Sequence, residues 1–360
     1  MGSPAWHASP PCGHRRILRV RRGWVVCVGW LSALACATGG PEAAEDVPVA
    51  PIVPEADGSG RIRLSSPQLV ADLDVARGRV LAIRLGDQTV LGSSRHAPSG
   101  ADATAPDWQG RAGIWVWPVP ESAWGDLRER GFQPEREMDR VAGTARAWRV
   151  RSGAAVLRWT RELGPPLCLR ETRTWRVSPF TPVLTLDVEL ERLRPSSARV
   201  GPWVLVRMDN CRRLVWPADD AADSLAEVHA FSRPPAFAWT REPGSVVYRT
   251  DLGGVHRFKA NDPGRAWIAA ESTGRLLLLR QLRSPVATND PVLQVWAYVG
   301  ESGRRTELEL MDVGHILQPG ERRVWSVAVE CFPILADLDP RSLAVRVRLL
   351  AGEKEAASLP

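Results

Sequence analysis

Apolar and polar residues alternate in short segments along most of the chain after residue 60. The run LCLRETRTWRV, residues 167–177, is typical: every second residue from Leu167 to Val177 falls on one face, and the other face carries residues such as Arg170 and Arg176. A polar face opposite a largely apolar one favours an antiparallel sheet, because strands of parallel sheets are buried on both sides. The pattern predicts an all-β fold.

The same alternation predicts a single large domain of many strands. Helical periodicity is weak, and only residues 126–130 and 221–228 are candidates for short helices. We therefore predict two packed antiparallel sheets over residues 58–350, followed by a C-terminal tail at 351–360. The other predicted strands are residues 61–66, 68–75, 78–86, 88–92, 146–152, 155–163, 182–190, 203–208, 246–250, 265–271, 275–282, 292–299, 306–311 and 322–332.

The first 57 residues differ in composition from the rest. Five arginines precede the apolar run WVVCVGWLSALA, residues 24–35, which is shorter than the roughly 20 residues of a membrane-spanning helix. Residues 1–35 are therefore predicted to be a signal peptide, with an uncleaved membrane anchor as the alternative. Residues 36–57 are rich in Pro, Gly, Ala and acids, which predicts a flexible tether.

Cys36 follows the apolar run directly, and the sequence ALAC resembles the lipobox of bacterial lipoproteins. Lipidation at Cys36 would anchor an exported protein to a membrane, in the periplasm or at the outer membrane. The alternative is ordinary cleavage nearby, with Cys36 an incidental thiol. This anchor is the only membrane contact that the sequence predicts.

Charge and cysteine content exclude several classes of function. The formal net charge is +6, but five arginines and no acids lie in the first 35 residues, so about +1 remains afterwards (6 − 5 = 1). That balance predicts no nucleic-acid partner. Cys168, Cys211 and Cys331 allow at most one disulfide among them, and they form no Cys/His cluster with zinc spacing. No nucleotide-binding or metalloprotease motif is present, and no cofactor or metal is expected.

The stretch GIWVWPVPESAWG, residues 113–125, combines Trp115, Trp117 and Trp124 with two prolines and Glu121. Proline has no backbone N–H to donate to a neighbouring strand. The stretch therefore predicts a strand that ends in a rigid aromatic loop. Three more stretches carry short motifs. Residues 132–140 read FQPEREMDR, and residues 256–282 have a Lys ahead of a Trp-bearing strand. Residues 295–327 contain a Glu-Leu-Glu strand followed by Leu-Gln-Pro-Gly-Glu.

Together these stretches resemble an uncharacterised bacterial domain family placed in the galactose mutarotase-like (aldose 1-epimerase-like) superfamily. The resemblance spans most of residues 60–332. It implies a β-supersandwich whose concave sheet faces a carbohydrate, with Trp115, Trp117 and Trp124 as platforms for the C–H face of a sugar ring. The alternative is that these indoles fill the core, since the chain has 16 tryptophans.

Aldose epimerases use a Glu as general base and a His as general acid. Glu307 and Glu309 lie at i and i+2 on a predicted strand and share a face, so mutual repulsion should raise one pKa. Glu309 is the preferred base, because Leu308-Glu309 resembles the Leu-Glu pair at the mutarotase base. Two ordinary solvated acids are the alternative.

The histidine patterns of mutarotases, an Asn-His pair and a His-x-Tyr/Phe context, do not occur in this chain. Trp203 stands where the second histidine is expected. Among the remaining histidines, only His256 lies in a motif that resembles the family, which makes it a candidate site residue, with a structural or surface role as the alternative. Lys259 matches the family's Lys and is expected to hydrogen-bond hydroxyls or an acidic sugar, with a solvated lysine at a strand end as the alternative.

Three functions stay open at this point. An exported carbohydrate-binding protein on a mutarotase-like scaffold is favoured by the missing histidines. A sugar-active, epimerase-like enzyme that uses Glu309 is favoured by the Glu-x-Glu strand. A structural envelope lipoprotein without a ligand is the third, because a fold alone does not decide function.

Overall fold

The structure, a computed structural model, covers the predicted β-domain with several gaps. It describes residues 48–53, 60–92, 113–120, 123–134, 137–138, 141–209, 211–218, 238–251, 256–262, 267–272, 274–283, 293–300, 303–312, 314–334 and 338–352, with only the backbone described at 256–262, 283, 293–300 and 303–305. The predicted signal peptide, Cys36, Glu121, the predicted helix 221–228 and most of the C-terminal tail lie outside these residues.

The chain forms strands β1 (Pro48–Pro51), β2 (Arg61–Ser65), β3 (Val70–Asp74), β4 (Arg79–Leu85), β5 (Gln88–Leu91), β6 (Gly113–Trp117), β7 (Thr144–Val150), β8 (Ala155–Leu163), β9 (Leu169–Val177), β10 (Val183–Arg192), β11 (Trp203–Asp209), β12 (Arg213–Pro217), β13 (Trp239–Glu242), β14 (Ser245–Arg249), β15 (His256–Asp262), β16 (Trp267–Ser272), β17 (Arg275–Arg283), β18 (Leu293–Gly300), β19 (Gly303–Met311) and β20 (Arg322–Pro333). The helices whose bounds lie within the described residues include α1 (Trp124–Glu129) and α2 (Pro340–Leu350).

These strands form two large sheets. Sheet A has the order β1-β7-β8-β9-β10-β20-β17-β16-β12-β14-β13, and sheet B has the order β15-β18-β19-β11-β6-β4-β3-β2, with β5 paired to β4. Neighbouring strands pair antiparallel, as in β8–β9 and β11–β19. The all-β antiparallel sandwich predicted from the alternation is therefore confirmed.

The alternation of side chains in sheet A separates the core from solvent. In β10, residues such as Leu186 and Leu190 are fully buried, whereas the intervening Asp187 and Glu189 are only partly buried. Arg176 of β9 pairs with Asp187 on the outer face. Apolar burial on one face and cross-strand ion pairs on the other explain why this sequence forms a sheet with one solvent-exposed face.

Two elements differ from the sequence-based expectation. β1 pairs with β7 at the edge of sheet A, so part of the predicted tether belongs to the sheet. Helix α2 was not predicted, because arginines interrupt its apolar residues. Its start carries a helix signal nonetheless: Asp339 accepts a hydrogen bond from the Ser342 amide at 3.0 Å, and Pro340 follows the cap.

Helix α1 overlaps the short helix predicted at residues 126–130. None of the helices in the described part of the chain is long and apolar enough to cross a membrane. Cys168, Cys211 and Cys331 are all free thiols, so the single disulfide that the count allowed is not formed among them.

Candidate functional site

Three neighbouring strands of sheet B place most of the predicted site residues side by side. The strands are β6, β11 and β19, and their cross-strand partners project from the same face of the sheet. The three rows across these strands are Trp117, Trp203 and Met311; Trp115, Leu205 and Glu309; and Gly113, Arg207 and Glu307.

This face of sheet B points away from sheet A. Val204 of β11 and Leu310 of β19 line a cavity between the sheets, together with Val188 and Val327 of sheet A. Because side chains alternate along a strand, the residues one position away project from the opposite face. We call that opposite face the site face, formed by Trp115, Trp117, Trp203, Leu205, Arg207, Glu307 and Glu309.

Trp117, Trp203 and Trp124 form a three-indole cluster on the site face. The ring centroids of Trp117 and Trp203 are 5.0 Å apart with an interplanar angle of 86°. Trp124, from α1, lies 5.5 Å from Trp117 and 5.3 Å from Trp203. Trp117 and Trp203 are each only 5% exposed, while Trp124 is partly buried. Such tilted and edge-to-face pairs each contribute about 0.5–1.5 kcal/mol beyond their buried area.

Both prolines of the aromatic stretch, which follow β6, have backbone hydrogen-bond partners. The Pro118 carbonyl accepts a hydrogen bond from the Gly201 amide at 3.0 Å, and the Pro120 carbonyl accepts one from the Ala123 amide at 3.0 Å. Gly314 lies against the ring of Pro120, where a Cβ would be 2.8 Å from Cγ. These contacts hold residues 118–120 at the end of β6, and Trp124, at the start of α1, lies beside Trp117 and Trp203.

Two indole N–H groups, one in this cluster and one beside it, are buried without an acceptor among the described residues. Among the residues that the structure describes, no acceptor lies within hydrogen-bond distance of Nε1 of Trp115 or Nε1 of Trp124. Buried donors without a partner are rare in folded proteins. The guanidinium of Arg79 lies 4.0 Å from the ring centroid of Trp115 and so covers part of that indole.

The two glutamates of β19 have different surroundings. Arg207 donates to Glu307, with 2.6 Å between Nε and Oε1, and both side chains are largely buried. Glu307 is therefore held in a cross-strand ion pair. Glu309 is 3% exposed and lies in the next row, opposite Leu205.

Lys259 and His256 lie on β15, at the edge of sheet B. The backbone register pairs Lys259 with Trp296, and Trp296 with Glu307, so Lys259 is two strands from Glu307 in the same row, roughly 10 Å away at the usual strand spacing. His256 pairs with Val299, which pairs with Arg304, so the register places it outside the rows of both glutamates.

Among the histidines after residue 60, His315 is the one whose side chain the structure describes, and it lies in a different environment. His315 Nε2 lies 3.0 Å from Asp312 Oδ1, and the indole of Trp325 donates to the other oxygen of the same carboxylate. Asp312 and Trp325 line the cavity between the sheets. In the described part of the chain, the site face therefore has no histidine, and no cluster of three or more His, Cys, Asp or Glu side chains could hold a metal.

A buried ion network from sheet A supports the strand that carries Trp115 and Trp117. Arg173 of β9 donates to the Val116 carbonyl at 2.6 Å and to the Arg77 carbonyl at 3.1 Å. Glu171 holds this guanidinium at 2.6 Å and also binds Arg161 at 2.7 Å. Arg173 thus links β6 to Arg77 in the turn before β4, and the two strands pair with each other at Ile114 and Val80.

Sequence reasoning missed Arg207, Arg79 and Arg173. Arg207 is a single charge within the otherwise apolar run WVLVRM, and this exception to the pattern was the available signal. Arg173 stands on the apolar face of β9 in the alternation, which marks a buried charge that needs a partner.

Comparison with known proteins identifies the fold. No family model matches the sequence, and no curated protein matches it significantly. The structure is similar to a galactose mutarotase-like protein from Lactobacillus casei, with a TM-score of 0.51 and 10% identity over 76% of this chain and 100% of that one. It is also similar to a Klebsiella pneumoniae protein provisionally named an aldose 1-epimerase, with a TM-score of 0.52 and 10% identity over 84% and 87% of the two chains.

A third similar structure is a Salmonella typhimurium protein provisionally named a mutarotase, with a TM-score of 0.50 and 10% identity over 79% of this chain and 97% of that one. At these identities the likeness concerns the fold. The chain therefore has the fold of the galactose mutarotase-like superfamily, which the motifs of its sequence predict.

Proposed function

We propose that the protein binds a carbohydrate on the site face of sheet B, beside the three-indole cluster. The observation that carries the proposal is the pair of buried indole donors, Nε1 of Trp115 and Nε1 of Trp124, beside tilted and edge-to-face aromatic rings. A sugar offers what both features need, because its hydroxyl oxygens accept hydrogen bonds and its C–H groups pack on indole faces. Neighbours named as mutarotase-like and epimerase proteins support a sugar as the ligand class.

Substitutions that remove only the N–H group test this proposal. Trp115→Phe and Trp124→Phe keep an aromatic ring but lose the donor, and each should weaken sugar binding by about 0.5–1.5 kcal/mol, the net contribution of one hydrogen bond. Trp148→Phe is the matched control, because Nε1 of Trp148 is also buried without a partner but lies on β7 of sheet A.

Binding is first measured on a glycan array and then by titration calorimetry with the sugar that the array selects. Equal affinity of the Trp115→Phe, Trp124→Phe and Trp148→Phe variants would contradict the proposed location. An array without any bound glycan would instead favour the structural lipoprotein. Trp117→Ala is a poor probe, because removing a buried indole costs about 3–5 kcal/mol of folding free energy.

A sugar-active enzyme is the second candidate, favoured by the position of Glu309 on the site face in the row of Trp115. A general base acts mainly in the transition state, so Glu309→Gln should abolish turnover and largely keep binding. Polarimetry of freshly dissolved aldoses measures the interconversion of anomers. Glu162→Gln, at an exposed glutamate of sheet A, is the control. If the wild type does not accelerate the interconversion, this candidate is wrong.

We further propose that the protein is exported and that residues 1–35 are removed. Mass spectrometry of the native protein should find an N-terminus at or close to Cys36, with a diacylated cysteine if the lipobox is used. Cys36→Ser should then shift the protein from the membrane fraction to the soluble fraction. A mature chain that keeps residues 1–35 would contradict export by this route.

A further inference from the structure

The turn between β9 and β10 carries a large apolar side chain that faces solvent. Phe180 is 78% exposed, more than any other large apolar residue in the described part of the chain. Pro179 precedes it, and Pro182 follows two residues later. The hydroxyl oxygen of Ser178 accepts hydrogen bonds from the amides of Phe180 at 3.3 Å and Thr181 at 3.2 Å. The turn therefore holds the phenyl ring in a fixed position, so burying it against a partner costs little backbone entropy.

A second turn, between β7 and β8, lies directly beside the first. A Cβ on Gly153 would be 3.5 Å from the Cβ of Pro179, which is ordinary van der Waals contact. Residues 151–153 are exposed, and the first of them is Arg151. Neither turn contains an acidic residue. We call residues 151–154 and 178–182 the sheet-A tip, where an exposed aromatic ring and an exposed cation lie on neighbouring turns.

The N-terminal strand enters sheet A at this tip. Pro48 of β1 is the register partner of Val150, the residue that precedes the β7–β8 turn. The Val150 amide donates to the Ala154 carbonyl at 3.0 Å, which closes that turn. Val49 is 57% exposed and adds apolar surface here. The chain before residue 48 therefore joins the domain next to the sheet-A tip.

The length of that preceding chain limits how far the tip can be from a lipid anchor at Cys36. Cys36 and Pro48 are twelve residues apart (48 − 36 = 12). A flexible chain of this length has a root-mean-square span of about 20 Å, and a fully extended one reaches at most roughly 43 Å. A lipid anchor at Cys36 would thus keep the tip close to the bilayer.

The opposite end of sheet A is much farther from the anchor. The Cys331 amide donates to the Pro182 carbonyl at 3.0 Å, so β20 ends at the tip. The twelve residues of β20 span about 40 Å. Ile316, which is 53% exposed, lies just before the start of β20 and therefore near the far end.

We propose that the sheet-A tip rests on the membrane surface, with Phe180 in the interfacial region of the bilayer and Arg151 facing anionic headgroups. Aromatic side chains favour the membrane–water interface, and basic side chains are attracted to anionic lipid. The inference rests on the lipid anchor proposed above at Cys36. It gives the anchored domain one orientation, in which the far end of sheet A points away from the bilayer.

Photochemical cross-linking tests this contact in the full chain. The photoreactive amino acid p-benzoylphenylalanine is introduced in place of Phe180 and, as the matched control, in place of Ile316. Both positions are exposed, so both variants should fold. The purified proteins are reconstituted in vesicles of phosphatidylethanolamine and phosphatidylglycerol and irradiated. Mass spectrometry should find a phospholipid adduct at position 180 and none at position 316.

Two outcomes would overturn the proposal. Equal lipid adducts at positions 180 and 316 would show that the tip has no special contact. A cross-link from position 180 only to a second copy of the chain would assign Phe180 to a protein interface instead.

The same samples separate this inference from the proposed anchor, because the mass of the N-terminal peptide reports lipidation of Cys36. A lipidated Cys36 without a lipid adduct at position 180 would disprove the tip contact and leave the anchor in place. An adduct at position 180 in a chain without lipidation would disprove the anchor and leave the tip contact.

The role of Arg151 is tested by its charge. Arg151→Gln should reduce the lipid adduct at position 180 about fivefold in vesicles with phosphatidylglycerol, the contribution of one basic residue near an anionic surface, and leave it unchanged in phosphatidylcholine alone. Arg322→Gln is the matched control, since Arg322 is exposed and lies at the far end of β20. Equal reductions in both variants would contradict the headgroup contact of Arg151.

Discussion

Gly78 lies directly against the indole of Trp159, which joins the turn between β3 and β4 to the inner layer of sheet A. Its φ is +58°, and a Cβ at this position would be 2.3 Å from Cδ2 of Trp159. The Gly78 carbonyl accepts a hydrogen bond from Trp175 Nε1 at 3.1 Å. Only glycine meets both the left-handed backbone and the close approach.

Gly78→Ala should therefore destabilise the protein by more than the cost of a left-handed alanine, which is about 1–2 kcal/mol. Gly86→Ala is the matched control, because Gly86 has φ +54° but nothing within 4 Å of a Cβ. Urea unfolding measures both variants. Equal free energies of unfolding would show that the contact with Trp159 relaxes without cost.

Arg173→Met should lower the free energy of unfolding by about 3–5 kcal/mol, because it leaves Glu171 buried with one of its two partners removed. Arg176→Met, on the outer face of the same strand, should cost less than about 1 kcal/mol, since its pair with Asp187 is partly exposed. Denaturant titration checks the difference. Similar losses for both variants would mean that the network adds little to stability.

The pH dependence of stability should include a contribution from Glu171. Burial by itself raises the pKa of this carboxyl, but the charges of Arg161 and Arg173 outweigh burial and hold the pKa below its ordinary value of 4.5. The stabilisation is thus complete above pH 4.5 and is lost as the pH falls further. Urea unfolding between pH 3 and 6 should give a shallower slope for Glu171→Gln than for wild type. A slope unchanged from wild type would contradict this.

Cys211 and Cys331 should resist alkylation in the folded protein. Burial raises the pKa of each thiol to about 12, so both stay protonated at pH 8. Peptide mapping after iodoacetamide treatment should find Cys168, which is partly exposed, modified first. Above about pH 9 the unfolded chain loses these protons and the folded chain keeps them, so stability should fall as the pH rises. Modification of Cys331 before unfolding would contradict this prediction.

Local pattern was enough to predict most strands. The bounds of β8 agree with the prediction at both ends, because its apolar and polar residues alternate over nine positions. The alternation of β9 placed Glu171 and Arg173 on the apolar face, but it did not identify their partners. Val116, whose carbonyl binds Arg173, lies 57 residues away in sequence. The sequence pattern did not predict helix α2, because arginines interrupt its apolar residues and weaken the helical periodicity.

The candidate site was predictable in its residues but not in its pairing. The motifs singled out Trp117 and Trp203, and the structure makes them cross-strand partners. The ion pair of Glu307 with Arg207 depends on the register of β11 against β19, which the sequence does not reveal. The contact of Pro120 with Gly314 likewise joins distant segments of the chain.

The rows of the site face combine strands that are far apart in the chain. β6 begins at residue 113, β11 at 203 and β19 at 303. Contacts between such distant segments form late and slowly, because long loops must close before any pairing energy is gained. The last of these strands is synthesised only after most of the 360 residues, so a growing chain, or one truncated before β19, has no assembled site face. Ligand binding there would consequently stabilise the whole domain against unfolding rather than any one segment.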